Sequence, residues 1–209
     1  MRLGLFGGTF NPIHIGHLRA AEEVRESLSL DKIIFVPSYM PPHKDLADNV
    51  DGKRRLDMVR LAVKSNTNFE VSSFEVDSGG NSYSILTIEH IRETCGCTPY
   101  FILGQDAFNE VSLWYRSKTL FDATHFAVMS RPDVERYSLE KVIGKDAARF
   151  QKTPRGFTNE LGNEIVFVEV TAYAVSSSQI RKLVKQGRSI RYLVSREVHD
   201  YIRDERIYI

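Results

Sequence analysis

Two histidines three residues apart, His14 and His17, stand shortly after a glycine pair in the segment Gly7-Gly8-Thr9-Phe10-Asn11-Pro12-Ile13-His14-Ile15-Gly16-His17. A Gly-Gly turn lets the backbone come close to a ligand, and a helix beginning just beyond it offers unpaired N–H groups and a positive dipole end. That combination makes a phosphate cradle. In a first helical turn, positions i and i+3 lie on one side, so both imidazoles face the same way, and Gly16 leaves the surface between them bare. Paired imidazoles beside such a cradle suit charge stabilisation on a phosphoryl group in transfer. The segment lacks the Gly-Lys-Ser/Thr ending of a P-loop and the Gly-x-Gly-x-x-Gly of a dinucleotide fingerprint. Taken alone, the same residues also describe a tight turn with two structural histidines.

Other residues have equally mixed readings. Lys44 ends Pro41-Pro42-His43-Lys44; the prolines stiffen the loop, and lysine is a mobile point charge for phosphate or simply a solvated loop residue. Asp106, in Gly104-Gln105-Asp106, is placed either to cap a helix or to accept from a ribose hydroxyl. Trp114 is the only tryptophan, and a lone tryptophan is more often core than ligand shelf. Ser176-Ser177-Ser178-Gln179-Ile180-Arg181 reads as a serine-capped helix start with an arginine in its first turns, where cap and anion site coincide.

The elements that position these groups follow from periodicity. Apolar runs at 3–6, 32–36, 100–103, 125–129 and 165–170 read as strands buried on both faces, and the more alternating 69–76 reads as an edge strand. Helical spacing marks 18–28 (Leu18, Ala21, Val24, Arg25, Leu28), 53–64 (Leu56, Val59, Arg60, Val63) and 84–94 (Ile85, Ile88, Ile91). A further helix is expected over 138–150, a polar loop over 151–163, and helices at 179–186 and 195–203. Strands alternating with helices imply an α/β fold, a Rossmann-like, doubly wound and mainly parallel sheet covered on both faces. The whole chain, 1–209, is expected to form a single domain with a small helical C-terminal part from about 176. In such sheets ligands bind beyond the carboxyl ends of the strands, and each motif follows an expected strand.

Composition narrows the class. Of 209 residues, 42% are hydrophobic and 26% charged, the globular range, and the net charge of +1 gives no general attraction to nucleic acid. No apolar run approaches the 18 residues of a membrane span, and none fits a secretory leader. Cys95 and Cys97 are the only cysteines, too close for an unstrained disulfide and too few for a zinc site, so two free thiols in the cytoplasm are expected.

The opening motif, Gly7 to His17, resembles that of the nucleotidyltransferases with a Rossmann-like fold and a His-x-Gly-His signature. Four later blocks follow in order, Pro41-Pro42-His43-Lys44, Ser82-Tyr83-Ser84, Gly104-Gln105-Asp106-Ala107-Phe108 and Val175-Ser176-Ser177-Ser178-Gln179-Ile180-Arg181, and together they resemble the bacterial nicotinate-nucleotide adenylyltransferases. Ser84, Val175 and Ser178 depart from that pattern, which usually has threonine, isoleucine and threonine. The resemblance implies adenylyl transfer from ATP to a pyridine mononucleotide, with Mg²⁺ carried by ATP and a possible homo-oligomer. It implies His14, His17, Lys44 and Arg181 as catalytic, and Gly7, Gly8, Thr9, Phe10, His17, Asp106, Ser176, Ser177, Ser178 and Arg181 as the ATP site. The mononucleotide site is then Lys44, Ser82, Tyr83, Ser84, Trp114 and Arg131, with Trp114 stacking on the pyridine ring and Ser82-Tyr83-Ser84 lending backbone groups. The alternatives are the same reaction on nicotinamide mononucleotide or phosphopantetheine, or a nucleotide-binding regulatory module without turnover. Phosphopantetheine-specific relatives usually have shorter chains and lack the Trp114 segment. A pure binder need not keep His14, His17, Lys44 and Arg181.

Overall fold

Uninterrupted Leu, Ile, Val and Phe runs have two apolar faces to cover, and here they pair side by side in the middle of one sheet. A computed structural model describes residues 1–40, 50–130 and 135–209. The order is β1 (Leu3–Gly8), α1 (Ile15–Leu28), β2 (Lys32–Pro37), α2 (Gly52–Val63), β3 (Phe69–Val71), α3 (Phe74–Ser78), α4 (Ser84–Cys95) and β4 (Tyr100–Gly104). Then come α5 (Gln105–Asn109), a 3₁₀ turn Val111–Leu113, α6 (Ser117–Ala123), β5 (His125–Ser130), α7 (Leu139–Ile143) and a second 3₁₀ segment Gly144–Arg149. A hairpin of β6 (Phe150–Thr153) and β7 (Gly156–Asn159), β8 (Glu164–Glu169), α8 (Ser177–Lys185) and α9 (Arg196–Asp204) complete it. The sheet order is β3-β2-β1-β4-β5-β8-β7-β6. From β3 to β8 in that order every pair is parallel, and only β7 is reversed, antiparallel to both β8 and β6.

The two-residue period of each strand sorts its side chains into two cores. Phe6, Ile33, Phe35, Ile102, Ala127, Met129 and Val168 face α1, α2, α8 and α9, which contribute Val24, Leu28, Met58, Val59, Ile180, Val198 and Ile202. Leu3, Leu5, Val36, Phe101, Leu103, Phe126 and Val128 face the other way, against Ile85, Ile88, Phe108, Leu120 and Val142. The sheet is therefore wound on both sides, as the alternating pattern predicts. The first chain reversal lies between β1 and β4: β1 carries β2 on one side and β4 on the other. Their carboxyl ends, Gly7-Gly8 and Gly104, open onto the crevice where such folds hold ligands.

Three local expectations need correcting. The 69–76 run is a strand only to Val71; Ser73 and Asp77 then bond through their side chains across the short α3, whose Val76 turns inward. The 138–150 helix stops at Ile143, where Gly144 has φ of 60°, and continues as 3₁₀. The supposed polar loop 151–163 holds the β6–β7 hairpin, which reverses at residues 154–155, and its strands register Phe150 with Asn159. Lys44 and Arg131 lie outside the described residues.

Candidate active site

After β1 the chain turns through Thr9 and Phe10, the latter in the left-handed region at φ of 46°. A Cβ on Gly8 would lie 2.9 Å from the Phe10 ring, so this glycine makes room for a phenylalanine folding back beneath the turn. The Phe10 ring is 3% exposed and packs edge-on against Phe6 and His17, so this residue meets the crevice through its backbone alone. His14 is the N-cap of α1, in extended conformation, and His17 is its third residue. The imidazoles stack with centroids 3.7 Å apart and planes 25° apart. The His14 backbone N–H donates to His17 Nδ1 at 3.3 Å. That bond orients the His17 ring on the first turn of α1.

The Ser176–Arg181 block arrives at the same loop from the far end of the chain. Ser176 caps α8 by accepting from Gln179 N–H, Ser177 Oγ donates to the Pro12 carbonyl at 2.8 Å, and Arg181 Nη1 donates to the Asn11 carbonyl at 2.9 Å. The Tyr208 hydroxyl donates to Asn11 Oδ1 at 2.6 Å. Ser178 is exposed beside Ser176, their hydroxyls 3.1 Å apart. Three of the expected groups, the histidine pair, the serines and Arg181, are therefore joined around residues 11–17.

On the other side of the cradle lies a cavity of about 460 Å³. Its lining joins Gly7, Gly8 and Thr9 to Ser82, Tyr83 and Ser84, to Gly104, and to Leu113, Trp114 and Tyr115, over a floor of Phe6, Phe101 and Leu103. Trp114 is half-buried, following the 3₁₀ turn and set edge-on to Phe101 at 6.1 Å, while Leu113 beside it is exposed. Tyr115 packs on Tyr83 at 4.5 Å, and Arg116 donates both terminal nitrogens to Glu89 of α4, at 3.0 and 2.7 Å. The tryptophan turn and the Ser82–Ser84 turn are thus braced on the same helix. Asp106 is not the cap of α5: Gly104 holds that position, and Asp106 is exposed in the first turn. Its Oδ1 lies 2.5 Å from where a Cβ on Gly104 would stand, so Gly104 leaves space for the carboxylate.

Three polar residues of this site went unmarked in sequence. Arg55 is wholly buried and donates to four carbonyls: Nε to Val50 (3.1 Å), Nη1 to Thr9 (2.7 Å) and Ser38 (2.6 Å), and Nη2 to Tyr39 (2.9 Å). Burial pulls its pKa down. Glu75 lines the cavity, accepting from Thr87 Oγ1 at 2.5 Å. Burial raises its carboxyl above the usual range, with Thr87, Ser82 and the Arg55 charge pulling it back. Ser38, also in the lining, is buried at the end of β2. The visible signal for Arg55 was its place on the buried stripe of α2 with Gly52, Leu56, Val59 and Val63; Arg60, assigned to that stripe above, is exposed and paired with Asp57.

Comparison with known proteins agrees with this geometry. The cytidylyltransferase-like family model matches residues 5–183. Curated relatives named probable nicotinate-nucleotide adenylyltransferase include those of Pelobacter propionicus, 42% identical over all of this chain and 98% of the relative, and Geotalea daltonii, 40% identical with the same coverage. That of Desulfatibacillum aliphaticivorans is 39% identical over the full length of both. Among solved structures, the Plasmodium falciparum nicotinic acid mononucleotide adenylyltransferase complexed with NaAD superposes with a TM-score of 0.72 at 16% identity, covering 99% of this chain and 97% of that one, a likeness of fold. With a phosphate cradle, a stacked His-x-Gly-His pair and full-length relatives in hand, the chain belongs to the nicotinate-nucleotide adenylyltransferases, nucleotidyltransferases of the cytidylyltransferase-like family.

Proposed function

We propose that the chain joins the phosphate of nicotinate mononucleotide to the α-phosphorus of ATP, giving nicotinic acid adenine dinucleotide and pyrophosphate. The observation that carries this is the position of the Gly7–Thr9 cradle, between the stacked His14–His17 pair and an aromatic-walled cavity that Trp114 and Tyr83 line. A new P–O bond forms at the α-phosphorus as its bond to the pyrophosphate oxygen breaks. The attacking phosphate is already anionic, so no general base is required. His17 and His14 stabilise the charge gathering on the α-phosphate oxygens and the leaving pyrophosphate. Arg181, Ser176, Ser177 and Ser178 hold the ATP phosphates at the α8 N-terminus, and the exposed Asp106 takes a ribose hydroxyl. Lys44 and Arg131 serve the phosphates, and Trp114 stacks the pyridine ring over the Ser82–Ser84 turn.

Among the described residues no three His, Cys, Asp or Glu side chains converge on a metal position, a donor set that fits an ion held mainly by phosphate oxygens and water. Mg²⁺ bound with ATP would supply charge neutralisation on the phosphates. We place the reaction in the cytoplasm, a reading that the free thiols Cys95 and Cys97 support.

Pyrophosphate release with ATP, compared for nicotinate mononucleotide, nicotinamide mononucleotide and phosphopantetheine, tests the assignment. The highest kcat/KM is expected with nicotinate mononucleotide. Equal or greater efficiency with either other acceptor reassigns the substrate, and ATP binding without release from any acceptor makes the chain a binding module.

A further inference from the structure

A buried arginine with carbonyl partners behaves as a scaffold for backbone rather than for a side chain. Four of the five N–H donors of Arg55 are used, and each partner carbonyl belongs to a residue outside the strands and helices. Thr9 is the last residue of the phosphate cradle. Ser38 and Tyr39 follow β2 and lead toward Lys44. Val50 precedes α2. A trans peptide is planar, so turning a carbonyl toward the guanidinium turns the next N–H the opposite way. The consequence is visible at Tyr39: with the Ser38 carbonyl on Arg55, the Tyr39 N–H donates to Ser82 Oγ at 2.9 Å. The Ser82 N–H in turn donates to the Met40 carbonyl at 3.0 Å, and Met40 bridges Asn81. By the same geometry the Thr9 carbonyl on Arg55 directs the Phe10 N–H away from the guanidinium. Three turns bordering the cavity, at Thr9, at Ser38–Met40 and at Asn81–Ser82, are therefore set by one side chain that does not itself line it.

We propose that Arg55 is a positioning residue for the transfer reaction: it fixes the backbone of the phosphate cradle against the Ser38–Met40 and Asn81–Ser82 turns that border the cavity. This rests on the adenylyl-transfer reading above. Lysine cannot replace it, because an ammonium presents three donors from one point and the four carbonyls are spread over 9, 38, 39 and 50. A cradle displaced by even 1 Å loses the alignment on which transfer depends, a loss of about 10²-fold in rate.

The test compares Arg55→Lys and Arg55→Met with wild type, each first checked for folding by circular dichroism and thermal melting, then assayed well below its midpoint. In folded variants kcat is expected to fall about tenfold to a hundredfold. KM for ATP and for nicotinate mononucleotide should change much less, with Arg55→Lys keeping more activity than Arg55→Met. A folded Arg55→Lys with kcat within twofold of wild type, or a loss matching only the unfolded fraction, overturns the proposal. Amide exchange in wild type supplies an arm that needs neither variant nor turnover. The Ser38 and Tyr39 N–H groups should be protected like those of β2, and about tenfold or more less so in whichever variant folds, as expected for a local opening. Exchange of both at open-loop rates in wild type also overturns it. Wild type that releases no pyrophosphate while Ser38 and Tyr39 stay protected defeats the assigned reaction and not the clamp.

Discussion

At the scale of single residues, His17 carries the most chemistry for its size. Its Nδ1 accepts from the His14 N–H, which orients the ring, and the imidazole is the proposed donor to the oxyanion. His17→Ala should lower kcat by roughly 10²–10³-fold, the usual loss for one transition-state donor, while KM for ATP moves little. Steady-state kinetics on both parameters decides it, and a near-normal kcat removes His17 from catalysis. Trp114 is proposed to act by surface instead. Half-buried on Phe101, it presents its remaining face beside Tyr83 and Tyr115. Trp114→Ala should raise the mononucleotide KM about tenfold or more, given base stacking worth roughly 1–3 kcal/mol, and Trp114→Phe should recover part of it. Indole fluorescence should shift on titration with the mononucleotide alone. Unchanged emission, with an alanine variant that only melts earlier, returns the residue to the core.

At the scale of elements, what could be read in advance was whatever a short window contains. The histidine pair, the serine cap of α8 and the buried strands are each defined by neighbours within a few positions, and they lie where their spacing puts them. The β6–β7 hairpin did not show, because Gln151 and Lys152 face solvent and the stretch as a whole resembles a loop in composition. Arg55 and Glu75 were missed for a different reason. Their partners are 46 and 12 residues away, at Thr9 and Thr87, and nothing in the local pattern names them. Glu75 also ties the site to pH. Its carboxyl is raised by burial, so the folded chain holds that proton more tightly than the unfolded one. Its contribution to stability is then fullest below the ordinary carboxylate value and is lost as pH rises through the raised value. Denaturant melts of wild type and Glu75→Gln should diverge across that window, the variant gaining relative stability as pH rises. A difference that stays constant from acid to neutral pH refutes the assignment.

At the scale of the molecule, one edge of a parallel sheet collects motifs that the chain scatters from Gly7 to Arg181. Strand direction does the gathering: β1, β2, β4 and β5 all finish on the same side, and Gly7–Thr9 after β1, Ser38 after β2 and Gly104 at the end of β4 line one cavity there. The last described residues also reach this edge. Asn11 is 5% exposed, and the Tyr208 hydroxyl satisfies its Oδ1. Tyr208→Phe strands that acceptor and should lower unfolding free energy by about 1–3 kcal/mol, read from a denaturant melt; an unchanged midpoint and slope would show the contact to be incidental.

That contact also has a meaning in time. Residues 11–17 are synthesised well before Arg181 and Tyr208, which grip Asn11 from 170 and 197 residues further along the chain. At about 5–20 residues per second, the loop waits roughly 10–40 s for its anchors. A nascent chain can form β1 and α1 early and still lack both anchors of the Asn11 turn, so that turn is complete only once Tyr208 has been made.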